Sequence, residues 1–215
     1  MLERTSRPPS ASKLSEDAVE EAIGPQGATQ PGRLRGADEA ELVAACADGR
    51  PEAFRELLAR HRRSVLTLAY HMLGNAEDAE DVAQEAFVRV FQAIPRFRQQ
   101  AAFTTWLYRI VTNLCLGRQR RRRPVVELET LAEPSAPDSP SQQVTEGLAA
   151  RQVLAQMPAQ LRAILVLREQ EELSYEEIAK ALALPVGTVR SRLSKARACF
   201  RRLWSELLQS AEGNA

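Results

Sequence analysis

From Phe54 to Met72 the apolar residues fall at steps of three and four, as Phe54, Leu57, Leu58, Val65, Leu68, Ala69 and Met72, with His61 in the same stripe. That spacing follows the 3.6-residue turn of an α-helix and gives it one buried face. The pattern returns in Val82, Ala86 and Val90 with Phe87, Phe91 and Ile94. It returns again in Phe103, Trp106, Leu107, Ile110, Val111 and Leu114. No strand is expected. Ala, Leu, Arg and Glu are abundant and aromatics make up only 5% of the chain, a mix that favours helices.

Punctuation residues set the boundaries. A short helix with Leu42, Val43 and Cys46 ends at Gly49, and Pro51 suits the first turn of the next one. Gly74 fits just past a helix end, and Asn75 fits the N-cap of the helix after it. These helices make one module over residues 38–123. Before it, residues 1–37 carry Pro8, Pro9, Pro25 and Pro31 among Gly and Ser and read as a disordered extension. Residues 124–143 form an acidic linker. Between Pro124 and Ala150 there is no Lys or Arg, and Pro134, Pro137 and Pro140 keep the middle extended. A second helical module covers residues 144–208, with Leu161, Ile164, Leu165 and Leu167 on one face, and a disordered tail takes 209–215. The expected fold is all-α, two small helical domains joined by an extended acidic linker.

Several function classes drop out early. The longest aliphatic run, Ile164 to Leu167, is far shorter than the ~20 residues a bilayer span needs. The N-terminus lacks the apolar core of a signal peptide, so the expected location is the cytoplasm. Cys46, Cys115 and Cys199 lie far apart with no CxxC, which argues against disulfides and zinc. A carboxylate-bridged metal site would want Glu-x-x-His repeats, and neither His61 nor His71 has an acid three residues before it. No metal or cofactor is expected.

The strongest signal lies between Leu173 and Arg202. Ser174-Tyr175-Glu176-Glu177 fits a capping box, Leu184-Pro185-Val186-Gly187 a tight turn, and the helix after it buries Val189, Leu193 and Ala196. The other side of that helix offers Arg190, Ser191, Ser194, Lys195, Arg197 and Arg201, and no acid occurs from Pro185 to Leu203. Thr188 sits where a helix N-terminus meets a phosphate. A short capped helix, a turn and a basic helix describe a helix-turn-helix, whose second helix enters a DNA major groove. The plain alternative is a solvated basic face on a structural hairpin.

Two further clusters are ambiguous from residues alone. Glu77, Asp78, Glu80, Asp81 and Glu85 make one acidic helix face, directed to solvent or to a partner; charge alone favours solvent. Phe103, Trp106, Tyr108, Arg109 and Asn113 precede the run Arg120 to Arg123. Such aromatics stack unpaired bases or simply fill a core, and alone they favour core.

The segments Asp81-Val82-Ala83-Gln84-Glu85-Ala86-Phe87, Phe103-Thr104-Thr105-Trp106-Leu107-Tyr108-Arg109-Ile110-Val111-Thr112-Asn113, Leu173-Ser174-Tyr175-Glu176-Glu177-Ile178-Ala179 and Pro185-Val186-Gly187-Thr188-Val189-Arg190-Ser191-Arg192-Leu193 occur in this order. Together they resemble the extracytoplasmic-function (ECF, group IV) sigma factors of the sigma-70 family, over about residues 38 to 208. The resemblance implies a sigma-2-like first domain, a sigma-4-like second domain, and a subunit that is not itself an enzyme. It implies that Asp81, Gln84 and Glu85 contact the β′ clamp coiled coil of core RNA polymerase. It assigns −10 promoter contacts to Arg98, Thr105, Trp106, Arg109, Asn113 and Arg120. It assigns −35 contacts to Thr188, Arg190, Ser191, Ser194, Lys195 and Arg197, in a domain that packs on the β flap. An anti-sigma factor, able to hold the chain at the inner membrane, is the further partner implied, and no small-molecule substrate is. The 37-residue leader departs from the family pattern. The rival reading is a free-standing LuxR-like helix-turn-helix regulator, which would bind duplex DNA without polymerase.

Overall fold

The computed structural model describes residues 38–97, 101–122 and 142–212. Among them every regular element is helical. Helix α1 (Glu39–Ala47) is capped by Asp38, whose carboxylate accepts from the Glu39 amide at 2.8 Å. Gly49, at φ 80°, turns the chain into α2 (Pro51–Leu73), with Pro51 in its first turn. Val65, Leu68, Ala69 and Met72 on α2 are fully buried. Each of the larger ones contributes roughly 1.5–3 kcal/mol by leaving water. Gly74, at φ 84°, ends α2 in the left-handed conformation that costs other residues steric strain.

Asn75 then caps α3 (Ala76–Ala93), its Oδ1 accepting from the Asp78 amide at 2.7 Å. A 3₁₀ turn, Ile94–Arg96, leads toward α4 (Phe103–Arg122). Helices α2, α3 and α4 pack on one another, and α1 packs on α2. This is the first module.

The second module comprises α5 (Gln142–Gln156), α6 (Ala159–Glu169), α7 (Tyr175–Leu182) and α8 (Val186–Glu212), with α8 packed on the other three. Helix α5 opens at Gln142, inside the expected linker. Helix α8 runs to Glu212, so the expected disordered tail is helical as far as that residue. Nothing interrupts the helix there: the Ser210 hydroxyl donates to the Glu206 carbonyl at 2.8 Å and no breaker intervenes before Gly213.

The two modules are packed together. Helix α4 touches α6 and α7, and α2 touches α5 and α6. That docking explains why α6 is buried all round from Arg162 to Leu167, where its sequence suggested one buried face. Among the described residues no helix is long and apolar enough to cross a membrane. Burial pushes the thiols of Cys46 and Cys115 up to about 12, leaving them protonated and unreactive.

Candidate polymerase and promoter interfaces

The acidic face of α3 is less uniform than its sequence. Asp81 and Gln84 are exposed and Glu85 is half-buried, so one side of α3 presents all three. Asp78, by contrast, is buried at 1% exposure, which corrects the picture of a wholly solvated face. The cause is local: the Asn75 side-chain amide donates to Asp78 Oδ2 at 2.6 Å, and Arg118 of α4 reaches Asp78 Oδ1 at 2.7 Å. The same Arg118 nitrogen holds Asp81 Oδ2 at 2.6 Å, and Glu85 holds Arg89 at 2.6 Å. Two of the three expected polymerase contacts therefore carry internal arginine partners that an external cation would have to share. The signal for Arg118 was faint, because it lies next to an arginine run that reads as a solvated helix end.

The N-terminal half of α4 builds an aromatic shelf. Trp106 lies 4.8 Å from Phe97 and 5.8 Å from Phe103, centroid to centroid, and His61 lies 5.2 Å from Phe103. Phe103 is buried while Trp106 is half-exposed, so the two sequence readings divide between them: Phe103 is core, and Trp106 offers part of a ring to solvent. Trp106 opens on a cleft of about 580 Å³ whose other walls include Arg96, Phe97, Thr105, Arg109 and Lys180. Arg109, Asn113 and Arg120 are exposed along α4. Thr105 is 2% exposed, and its hydroxyl has no hydrogen-bond partner among the described residues. Arg98 lies outside the described residues.

In the second module the capping box forms as the sequence suggests. The Ser174 amide donates to Glu177 Oε2 at 2.8 Å and the Glu177 amide to Ser174 Oγ at 3.2 Å. Hydrogen bonds from Ser174 hold the Glu177 carboxyl below its ordinary value. Ala183, at φ 52°, ends α7, and α8 begins at Val186 after Pro185. Val189, Leu193 and Ala196 are buried, which leaves Arg190, Ser191, Ser194, Lys195 and Arg197 exposed on one side and Thr188 half-buried. Two of these have internal partners. The Ser191 hydroxyl donates to the Thr188 carbonyl at 3.1 Å, and Arg197 grips Glu169 Oε1 through Nε at 3.0 Å and Nη2 at 2.7 Å. Arg190 lies 5.9 Å above the Tyr175 ring, a cation–π contact that steadies it at the start of α8.

Comparison with known proteins fits this geometry. A model described as Sigma-70 region 2 matches residues 57–125, and one described as Sigma-70, region 4, matches residues 147–200. The chain is 34% identical over 173 residues to the ECF RNA polymerase sigma factor SigW of Bacillus subtilis, covering 74% of this chain and 92% of that one. It is 36% identical over 170 residues to the ECF RNA polymerase sigma-E factor of Escherichia coli K12, covering 73% and 88%. The chain belongs to the ECF sigma factors of the sigma-70 family.

Solved structures agree on the fold of this ECF chain. CnrH in complex with the cytosolic domain of CnrY superposes with a TM-score of 0.60 at 28% identity, covering 79% of this chain and 96% of that one. The sigma factor RpoE bound to the anti-sigma factor NepR from Bartonella quintana gives 0.57 at 22% identity, covering 71% and 96%.

Sequence reasoning missed the residues that join the two halves of this sigma factor. Arg162, buried in α6, donates to the Met72 carbonyl of α2 at 2.6 Å, and also to Ala155 and Met157 carbonyls at 2.7 and 3.0 Å. Tyr108 of α4 lies close enough to Glu171, the second residue after α6, for the two to interact electrostatically. Arg151 of α5 reaches the Tyr70 hydroxyl at 3.4 Å and stands 5.3 Å above its ring. An arginine inside the apolar run Leu161 to Leu167 was the one available signal.

Proposed function

We propose that this ECF chain is an alternative sigma factor of group IV that binds core RNA polymerase, directs it to −35 and −10 promoter elements and helps open the DNA. One observation carries the reading: a single helical scaffold presents an acidic face on α3, an aromatic-cationic shelf on α4 and an acid-free basic face on α8. Asp81, Gln84 and Glu85 dock on a basic coiled coil of the polymerase. Trp106 stacks an unpaired base of the −10 element while Arg109, Asn113 and Arg120 hold the strand. Arg98 and Thr105 belong to the same assignment. Arg190 reads base edges of the −35 element near the start of α8, and Thr188, Ser191, Ser194, Lys195 and Arg197 position the helix in the groove. The functional domains are residues 38–123 and 144–208. The chain works in the cytoplasm, with an anti-sigma factor as its regulator and the chemistry left to the polymerase.

The test is run-off transcription by core polymerase on a promoter library, with and without this protein. The reading requires transcripts that depend on the protein and on both promoter elements. Tight, sequence-specific duplex binding by the free protein with no effect on core would replace it with a LuxR-like regulator.

A further inference from the structure

Residues 1–37 lie outside the described residues, but ten of them carry a sequence pattern that the proposed function does not use. Leu14, Ala18, Val19, Ala22 and Ile23 recur at helical spacing, and Glu16, Asp17, Glu20 and Glu21 fall between them. At about 100° per residue the five apolar positions fill one half of a helical wheel and the four acids the other. Gly24-Pro25 follows at once, a pair that stops a helix. A helix this short is marginal by itself in water and draws its stability from a surface that takes its apolar side.

The second module offers such a surface. A groove of about 360 Å³ between α5, α6 and α8 is lined by Leu154, Leu165, Val166 and Phe200. Phe200 stacks on Trp204 at 5.7 Å, and Leu208, four residues further along α8, is 50% exposed. These three residues at steps of four continue the apolar side of the groove along the helix. Arg197 and Arg201 line the same groove, and its one lining acid, Glu169, is already held by Arg197, so the lining is net positive. The groove is also within reach. The described chain starts at Asp38, α1 packs on α2, and α2 packs on both α5 and α6. The 14 residues from Gly24 to Ala37 span up to roughly 45–50 Å. A compact body of ~150 residues has a radius of gyration of roughly 15 Å, so that reach covers the width of the protein.

We propose that residues 14–23 dock as a short amphipathic helix in the α5–α6–α8 groove of their own chain. Leu14, Val19 and Ile23 cover Leu154, Leu165 and Phe200, and the leader's carboxylates turn toward Arg197 and Arg201. The leader is then a built-in ligand of the second module. Any external acidic, amphipathic helix that uses the groove has to displace an occupant tethered at an effective concentration of about millimolar. None of this depends on the polymerase or promoter assignments of the preceding section.

The experiment uses the full chain with Val19 replaced by the photocrosslinking residue p-benzoylphenylalanine. The chain is irradiated at two protein concentrations and digested for mass spectrometry. The leader should be joined to peptides containing Leu154, Leu165 or Phe200 of the same molecule, at a yield independent of concentration. Linkage that grows with concentration makes a second copy the occupant and overturns the proposal. Linkage to any other surface, or none at all, overturns it as well. Arg201→Glu, at an exposed position, should lower the yield at least about twofold, most visibly at low salt. An unchanged yield overturns the charge match on which the choice of occupant rests. In a second arm, amide hydrogen exchange compares the unlabelled chain with its Val19→Asp, Ile23→Asp variant. Both substitutions lie in the leader, outside the cores of the two modules. Exchange in α5 and in the C-terminal half of α8 should run at least about threefold faster in the variant. Equal exchange overturns the proposal.

Discussion

Arg118 on α4 holds Asp78 on α3 at 2.7 Å, a carboxylate whose side chain is 2% exposed while the guanidinium remains 26% exposed. The pair ties α3 to the C-terminal half of α4. Replacing Arg118 by Ala removes one charged partner of Asp78 and leaves its Asn75 bonds in place. Because the arginine keeps partial contact with solvent, the expected loss is modest, about 1–2 kcal/mol in urea unfolding. Arg118→Lys, which keeps the positive charge on a shorter side chain, should recover part of it.

For polymerase binding, Asp81→Lys with Glu85→Lys should weaken co-purification with core by an order of magnitude or so while the helical spectrum stays unchanged. The fold survives because Arg118 keeps Asp78 when Asp81 is lost. Normal recovery of core with the double variant would remove these residues from the interface.

On the −35 side, Arg190→Ala should change which −35 bases are preferred, at a cost of about 1–3 kcal/mol at one position. Arg201→Ala, further along α8, should weaken all variants evenly and flatten the salt dependence. A third substitution follows from the Arg197–Glu169 pair. Glu169→Gln weakens the hold on the guanidinium by removing a negative charge beside it, so holoenzyme should bind −35 duplex more tightly, most visibly at low salt. Transcription from a set of −35 variants at two salt concentrations reads all three.

Stability should fall on mild acidification. Burial holds His61 and His71 below the ordinary imidazole value, helped by Arg60 for the first and Arg151 for the second. The nearby Glu39 does not offset this, since its 3.5 Å approach to His61 is long and burial raises its own carboxyl. Both imidazoles stay neutral in the fold but take a proton in the unfolded chain below about 6.5. The unfolded state then binds more protons, so stability is full above that pH and is lost as pH falls toward the depressed folded values. Urea midpoints at pH 7.5 and 5.5 should differ, and His71→Gln should reduce the difference.

Arg162→Ala should do more than any surface change. It leaves the Ala155 and Met157 carbonyls without their buried donor, although Met72 O keeps its bond from Gln119. A loss of about 2–4 kcal/mol is expected. Because the same side chain joins α6 to α2, calorimetry should resolve one melting transition into two. A single transition at a lower temperature would mean that apolar contacts alone couple the modules.

What was legible in the sequence was whatever is local. Gly49, Pro51, Gly74, Asn75 and the Ser174–Glu177 box set helix ends through their own backbone needs, and the structure places those ends there. The buried stripe Val189, Leu193 and Ala196 was equally local, fixed by helical periodicity. What depends on distant partners was not legible. Asp78 looked like its exposed neighbours until Arg118, forty residues later, came to meet it. Arg162 looked like a break in an apolar stripe, because its acceptors include a carbonyl at the end of a helix ninety residues earlier. Tyr108 and Glu171 carry no motif that names one as the other's partner.

The docking of the second module on α4 has a consequence for the chain as it is made. Synthesis runs from the N-terminus, so α1 to α4 leave the ribosome while the residues from Arg122 to Glu212 are still being added. At ~5–20 residues per second those 90 residues take roughly 5–20 s. Once α4 has emerged within that interval, the Trp106 shelf has no second module to cover it. The cover arrives last, so the order of the two domains along the gene leaves the α4 shelf exposed at the start of every molecule's life.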